Sequence, residues 1–356
     1  MLERAALRVI GSAAAAVDRA ATLAAYAQTV HARRKSRAES LGHGERMLRL
    51  TELATEYAVS PADYFPAPRA IDPAQRVVRS DSRGARVIDL SWVSEYQPFT
   101  RDDGLIARFA RYRENGVAAA RLFTSGVGRP VAVLVHGYMA GHFALEQRVW
   151  PIEWLQKLGL DVVLFVLPFH GVRGNPARRG APPFPGADPR MSNEGFRQAV
   201  GDFHSLVDWL RARGHPGVGV MGMSLGGYTT ALSATVIPGL SFAVPIIPLA
   251  SLADFARDQG RLGTNPHQRF AQHAALERVY RVISPLDRPP LIEPERVLVI
   301  GARADRITPM SHAKRLSRHF RSELSVWPGG HLLQLGRADG FRRIGRLLGQ
   351  LGLTTR

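Results

Sequence analysis

One hydroxyl, one carboxylate and one imidazole in this chain have the types and order that acyl transfer needs. The hydroxyl is Ser224, inside "GVGVMGMSLGGYTT" at residues 217–230. Gly222-Met223-Ser224-Leu225-Gly226 fits G-x-S-x-G, a strand-to-helix turn so sharp that it lifts the serine over the end of a sheet. Val218, Val220 and Met221 read as the end of a buried strand. Tyr228, Thr229, Ala231 and Leu232 can turn one helical face toward that sheet. The hydroxyl therefore falls at a helix N-terminus, where free N–H groups favour developing negative charge. The carboxylate is Asp305, which closes the strand-like "RVLVIGARAD". The imidazole is His331, which closes "LSVWPGGH", and Gly329-Gly330 allows that loop to bend back over the sheet. His312 and His319 are rivals, but both fall in a segment that reads as a helix running away from the strand ends.

A serine hydroxyl is a weak nucleophile until a histidine removes its proton, and the histidine needs a carboxylate to hold its ring. The order Ser224, Asp305, His331, each after a separate strand, is the order of the α/β-hydrolases and not of the chymotrypsin or subtilisin folds. Acyl transfer also needs N–H donors for the oxyanion. The backbone N–H of Leu225, just after the nucleophile, is one candidate. The loop after the first parallel strand, "VLVHGYMAGH", offers the other at Tyr138, with Met139 as the alternative. His136 is read as a histidine that pins this loop and not as the base.

The elements that must position these groups are legible as alternation. "VAVLVHGY", "DVVLFVLP", "VGVMGMS", "SFAVPIIPL" and "RVLVIGARAD" are apolar strands separated by helical stretches. That pattern predicts a mostly parallel central sheet covered by helices on both faces. Residues 142–158 read as one helix, and residues 194–213 as another started by Ser192 or Asn193. "LIARFARYRENGVAAARLFTSG", with Asn115-Gly116 at its centre, reads as a hairpin at one edge. Residues 170–193 are too rich in Pro and Gly for either element. They are expected to wall the acyl pocket, with Arg173, Arg178 or Arg179 near its entrance. Residues 1–80 read as a helical arm and linker, and residues 81–356 as the hydrolase domain.

Composition narrows the classes. The 356 residues are 45% hydrophobic and 22% charged, ordinary for a globular chain. There is no cysteine, which excludes disulfides, thiolate catalysis and Cys-ligated zinc. The +17 net charge is almost all arginine, because lysine occurs only at Lys35, Lys157 and Lys314. It favours anionic surfaces, yet no nucleic-acid motif accompanies it, so nucleic acid is not an expected partner. The apolar run "VIPGLSFAVPIIPLASL" is broken by Pro238, Pro245 and Pro248 and is not read as a membrane span. Glu3 and Asp18-Arg19 interrupt the N-terminus, which is not read as a cleaved signal.

Taken with "WVSEYQPFTRDDGLIARFARY", "LPFHGVRGNP", "GMSLGGYTTAL" and "WPGGHLLQLGRADGFRRI", these motifs resemble the α/β-hydrolase superfamily. The resemblance is strongest to the branch numbered eighteen of the α/β-hydrolase-domain-containing proteins and its bacterial relatives. The chain has His136-Gly137-Tyr138 where eukaryotic members have "LAGTG", and Pro168-Phe169-His170-Gly171 where they have "PYYG". The resemblance implies a serine hydrolase with lipid-like esters as the leading substrate class. The expectation is a carboxylic-ester hydrolase using Ser224, His331 and Asp305, with no cofactor and no metal. Amide hydrolysis or acyl transfer by the same groups, and a catalytically silent binding or scaffold protein, are the alternatives. The expected location is cytoplasmic, with a weak peripheral contact to anionic membrane through "HARRKSRAES" and the arginines of "GFRRIGRLLGQLGLTTR".

Overall fold

A computed structural model describes residues 12–20, 42–82, 84–126, 128–175, 180–263 and 265–355. In chain order, α1 (12–20), α2 (His43–Glu56) and a short α3 (Pro61–Tyr64) precede β1 (Ala74–Ser80) and β2 (Arg86–Val93). Next come α4 (Asp103–Ala110), β3 (Val117–Thr124), β4 (Val131–Val135), α5 (Phe143–Val149), α6 (Ile152–Lys157) and β5 (Asp161–Phe165). They are followed by α7 (Pro189–Ala212), β6 (Val218–Met223), α8 (Leu225–Ser233), β7 (Ala243–Ile246), α9 (Leu252–Asp258) and α10 (Pro266–Tyr280). The last elements are β8 (Leu298–Ala302), α11 (Met310–Phe320), β9 (Glu323–Trp327) and α12 (Arg337–Gln350).

The described strands form one nine-stranded sheet in the order β1-β2-β3-β5-β4-β6-β7-β8-β9. From β5 to β9 every neighbouring pair is parallel, while β1, β2 and β3 add an antiparallel wing. Strands β4 to β8 are buried along their whole length, as a sheet covered on both faces requires. Alternation within β4 divides its side chains between two cores. Val131, Val133 and Val135 join the apolar cluster of α2, α7, α8 and α10, whereas Ala132 and Leu134 join that of α6 and α12. Ile344, Leu347 and Leu348 of the closing helix are buried in this second cluster.

Four expectations change. Residues 103–110 are helix and not the first arm of a hairpin. Asp102 caps them by accepting the Leu105 N–H at 2.6 Å, and Leu105 and Phe109, four apart, bury on one side. Asn115-Gly116 then belongs to a 3-10 turn. Asn115 is buried, and its side-chain Nδ2 donates to Gln198 while its Oδ1 accepts from the Phe169 N–H. The tight antiparallel connection lies instead between β1 and β2, where Asp81 Oδ1 accepts the Ala85 N–H. The helix expected over 142–158 is two helices, because Trp150 precedes Pro151 and is held extended at ψ 141°. Helix α7 starts earlier than Ser192, at Pro189, with Asp188 accepting the Arg190 N–H. Finally, Arg173 lies at no entrance. It is wholly buried and ion-paired to Asp202 at 2.7 Å. Arg178 and Arg179 lie outside the described residues.

The N-terminal segment is tied to the rest. β1 lies inside the residues expected as arm and linker, and it pairs with β2 across residue 80. Tyr57, after α2, donates to the buried Glu194 carboxylate of α7, which also accepts from Tyr96 Oη and from the Phe99 and Thr100 N–H groups. Among the described residues, no helix is long and apolar enough to cross a membrane.

Candidate active site

Ser224 stands between β6 and α8 with φ +56° and ψ −112°, a conformation few non-glycine residues adopt. The surrounding packing forces it. A Cβ on Gly222 would lie 2.1 Å from the Gly226 carbonyl oxygen, and one on Gly226 would lie 2.1 Å from that of Val135. Only glycine lets α8 begin this close to β4 and β6. The Ser224 N–H donates to the Ile246 carbonyl at 2.9 Å, which locks the turn to β7. Met139, Phe169 and Ile247, after β4, β5 and β7, also hold positive φ. Strained backbone thus collects at four neighbouring strand ends, on the side of the sheet where such folds bind ligands.

His331 Nε2 lies 2.9 Å from Ser224 Oγ, and His331 Nδ1 lies 2.8 Å from Asp305 Oδ2. Asp305 Oδ1 accepts the N–H groups of Ile307 and Thr308 at 2.8 and 2.7 Å. Thr308 Oγ1 lies 2.8 Å from Asp305 Oδ2, 3.0 Å from the Ile247 carbonyl and 3.0 Å from His331 Nδ1. A carboxylate is an acceptor only, so it draws the Nδ1 proton and leaves the Nε2 lone pair facing the hydroxyl. His331 and Asp305 are buried, at 7% and 3% exposure, which strengthens the charge interaction between them.

No protein-family profile matches the chain. It is 36% identical over 232 residues to two uncharacterized proteins of Mycobacterium tuberculosis, from strains CDC 1551 / Oshkosh and H37Rv. The match covers 63% of this chain and 55% of each relative, so the chain spans about half the length of the curated relatives it matches. The acetyl xylan esterase from Paenibacillus sp. R4 superposes with TM-score 0.54 at 16% identity, over 80% of this chain and 98% of that one. Acetyl xylan esterase 1 from Thermoanaerobacterium sp. JW/SL YS485 gives 0.56 at 19%, over 86% and 94%. The chain has the α/β-hydrolase fold.

Within that α/β-hydrolase fold, Ser224, Asp305 and His331 meet in one hydrogen-bonded line. His312 does not join them. It is buried, its Nδ1 accepts the Ala250 N–H, and its Nε2 faces Asp258 at 3.4 Å. His319 stacks edge-on against Phe320. Leu225 is the first residue of α8, so its N–H has no partner inside the helix. Tyr138 and Met139 follow Gly137, whose own Cβ position would be 3.6 Å from Ser224 Cβ. Tyr138 Oη donates to the Pro182 carbonyl and so ties this loop to the segment before α7. His136 pins the loop from below: Nδ1 donates to the Gly137 carbonyl at 2.7 Å and Nε2 accepts the Leu167 N–H at 3.0 Å.

Two neighbours of the line were not singled out from sequence. Thr308 stands three residues after Asp305, the spacing at which a side chain and an N–H can both reach back to one carboxylate, and that was its only signal. Asp18 is a lone acid in an alanine-rich stretch and gave none. Asp254, His273 and Glu277 are grouped closely enough to suggest a cation site. However, the Asp254 carboxylate already meets Arg257 at 2.7 Å, His273 at 2.8 Å and the Arg315 guanidinium. Two fixed positive charges on the central ligand oppose a metal ion there.

Proposed function

We propose that this chain is a metal-independent serine hydrolase that cleaves carboxylic esters. The observation that supports it most is the Ser224–His331–Asp305 line, with Ser224 on a strained turn at a helix N-terminus. His331 Nε2 takes the Ser224 proton as Oγ attacks the acyl carbon. Asp305 holds the ring and stabilises the imidazolium. The carbonyl oxygen becomes an oxyanion facing the Leu225 N–H and that of Tyr138. Collapse expels the alcohol, which takes the proton from His331. Water then enters, loses a proton to the same nitrogen and releases the acid.

Lipid-like esters are the favoured substrates within this reading. The side chains of Tyr138, a proposed donor, of Met139 beside it and of Leu332 beside the proposed base are 41%, 64% and 54% exposed, which favours apolar substrates near the site.

The test is labelling of the full chain with a fluorophosphonate, followed by an ester panel graded in acyl length. Ser224→Ala is expected to stay folded, to lose labelling, and to lose on the order of 10⁴- to 10⁶-fold in kcat. Wild-type turnover of every ester by Ser224→Ala would sink the proposal.

A further inference from the structure

We infer that Asp18 is a positioning residue for the Ser224–His331–Asp305 line, which makes helix α1 a working part of the active site. This rests on the hydrolase reading above. Asp18 is wholly buried. Its Oδ2 accepts the His331 N–H at 2.8 Å and the Arg306 N–H at 3.1 Å, and its Oδ1 accepts the Leu332 N–H at 3.0 Å. One side chain thus holds the backbone of His331 itself and of the residue beside Asp305. The two loops come from different strand ends, and each has its own freedom unless something fixes both. A carboxylate accepting three N–H bonds is a charge-assisted joint: the loop after Asp305 moves against it only by breaking the Arg306 bond, and the His331 loop only by breaking two.

The surroundings are shaped for this contact. A Cβ on Gly330 would lie 2.7 Å from Asp18 Oδ2 and 3.2 Å from the Ala14 carbonyl, so glycine is what admits the helix. Ala14 and Ala15 pack against Ala304, the residue before Asp305, in a small cluster of their own. Asp18 touches neither Ser224 nor the His331 ring in these contacts. Its effect passes through the backbone to the His331 Nε2–Ser224 Oγ distance. Misplacement of a reacting group by about 1 Å costs on the order of 10²-fold in rate, while substrate binding is largely spared.

The experiment compares full-length wild type, D18N, D18A and R19A, the last changing an exposed neighbour on the same helix. It reads kcat and KM on one ester, the fluorophosphonate labelling rate, thermal melting, and amide exchange at Arg306, His331 and Leu332. In folded protein, D18A should lose roughly 100-fold and D18N roughly 10-fold in kcat, with KM within about threefold. Asparagine keeps one acceptor oxygen, so it should rescue part of the loss. The three amides should be protected in wild type and exchange faster in both variants, and R19A should match wild type. A folded D18A with kcat within about twofold of wild type would overturn the inference, as would a loss that appears only in KM. If D18A does not fold, D18N is judged by the same ratios, and fast exchange of the three amides in wild type would also overturn it. A wild type that resists labelling sinks the hydrolase reading instead.

Discussion

At the scale of single residues, two buried histidines flank the proposed oxyanion loop without joining the Ser224 line. Burial holds His136 down to about 3 and His170 down to about 4, both below the ordinary imidazole range. Each stays neutral because its ring is out of water, and each donates Nδ1–H to a nearby carbonyl. The sign follows from proton counting. Between pH 6.5 and the folded value the unfolded chain holds the proton and the folded chain does not. The stability each histidine contributes is therefore complete above about pH 6.5 and is lost as the pH falls toward the folded value. Denaturant unfolding of wild type and His136→Asn across pH 7 to 4 isolates one of them. The stability gap should shrink by about 1.4 kcal/mol per pH unit below 6.5, because only the wild type carries this histidine. Parallel curves would mean that His136 is protonated in the fold.

At the scale of elements, the exit of β5 is fixed to α7 by a buried ion pair. Arg173 donates to Asp202 at 2.7 Å and also to the carbonyls of Asn115 and Val166, while Asp202 accepts from Ser94 at 2.7 Å. Burial pushes the Asp202 carboxyl up and the Arg173 guanidinium down, so their contact must offset the loss of water around both charges. Arg173→Met leaves an uncompensated buried carboxylate and is expected to cost about 3–5 kcal/mol in urea unfolding. The double change Arg173→Met with Asp202→Leu should recover most of that loss, since neither charge is then stranded. Equal losses in the single and double variants would instead assign the effect to packing. An arginine in a Pro- and Gly-rich loop looks exposed in sequence. The ion-pair partner that draws it inward stands 29 residues away in the chain.

At the scale of the whole molecule, the +17 charge is still the feature to test. The apolar stripe of α12 is buried on the sheet, so any membrane contact through that helix must be electrostatic, by exposed arginines such as Arg342, Arg343 and Arg346. Basic residues near an anionic bilayer contribute about 1 kcal/mol each within roughly one Debye length. Vesicles with anionic lipid are therefore expected to co-sediment the protein better than neutral ones, and added salt should reverse it. Substituting Arg33, Arg34, Lys35 and Arg37 by Gln tests the arm, whose residues 21–41 lie outside the described ones. Deleting residues 1–60 would not test it cleanly, because Asp18 and Tyr57 anchor the His331 loop and α7. Equal, salt-independent partitioning onto both vesicle types would remove the membrane reading.

The sequence by itself determined the groups whose constraints are local. Gly222 is demanded by the Gly226 carbonyl of the same turn, and although Gly226 answers to β4 at Val135, the pattern is readable in five residues because the sharp turn itself requires both glycines. Strands β4 to β8 announce themselves as continuous apolar runs because both faces are buried, and Asp305 and His331 by following the ends of β8 and the half-exposed β9. What only the tertiary structure decided is long-range pairing. Asn115-Gly116 offers a tight turn, but Asn115 bonds to Gln198 and Phe169, and this outweighs the local preference. Asp18 is one more acid on an alanine-rich helix until the chain brings it to three N–H groups about 300 residues away, at separations of 288, 313 and 314. A carboxylate that serves distant backbone amides leaves no periodicity or spacing behind, because amides are carried by nearly every residue type.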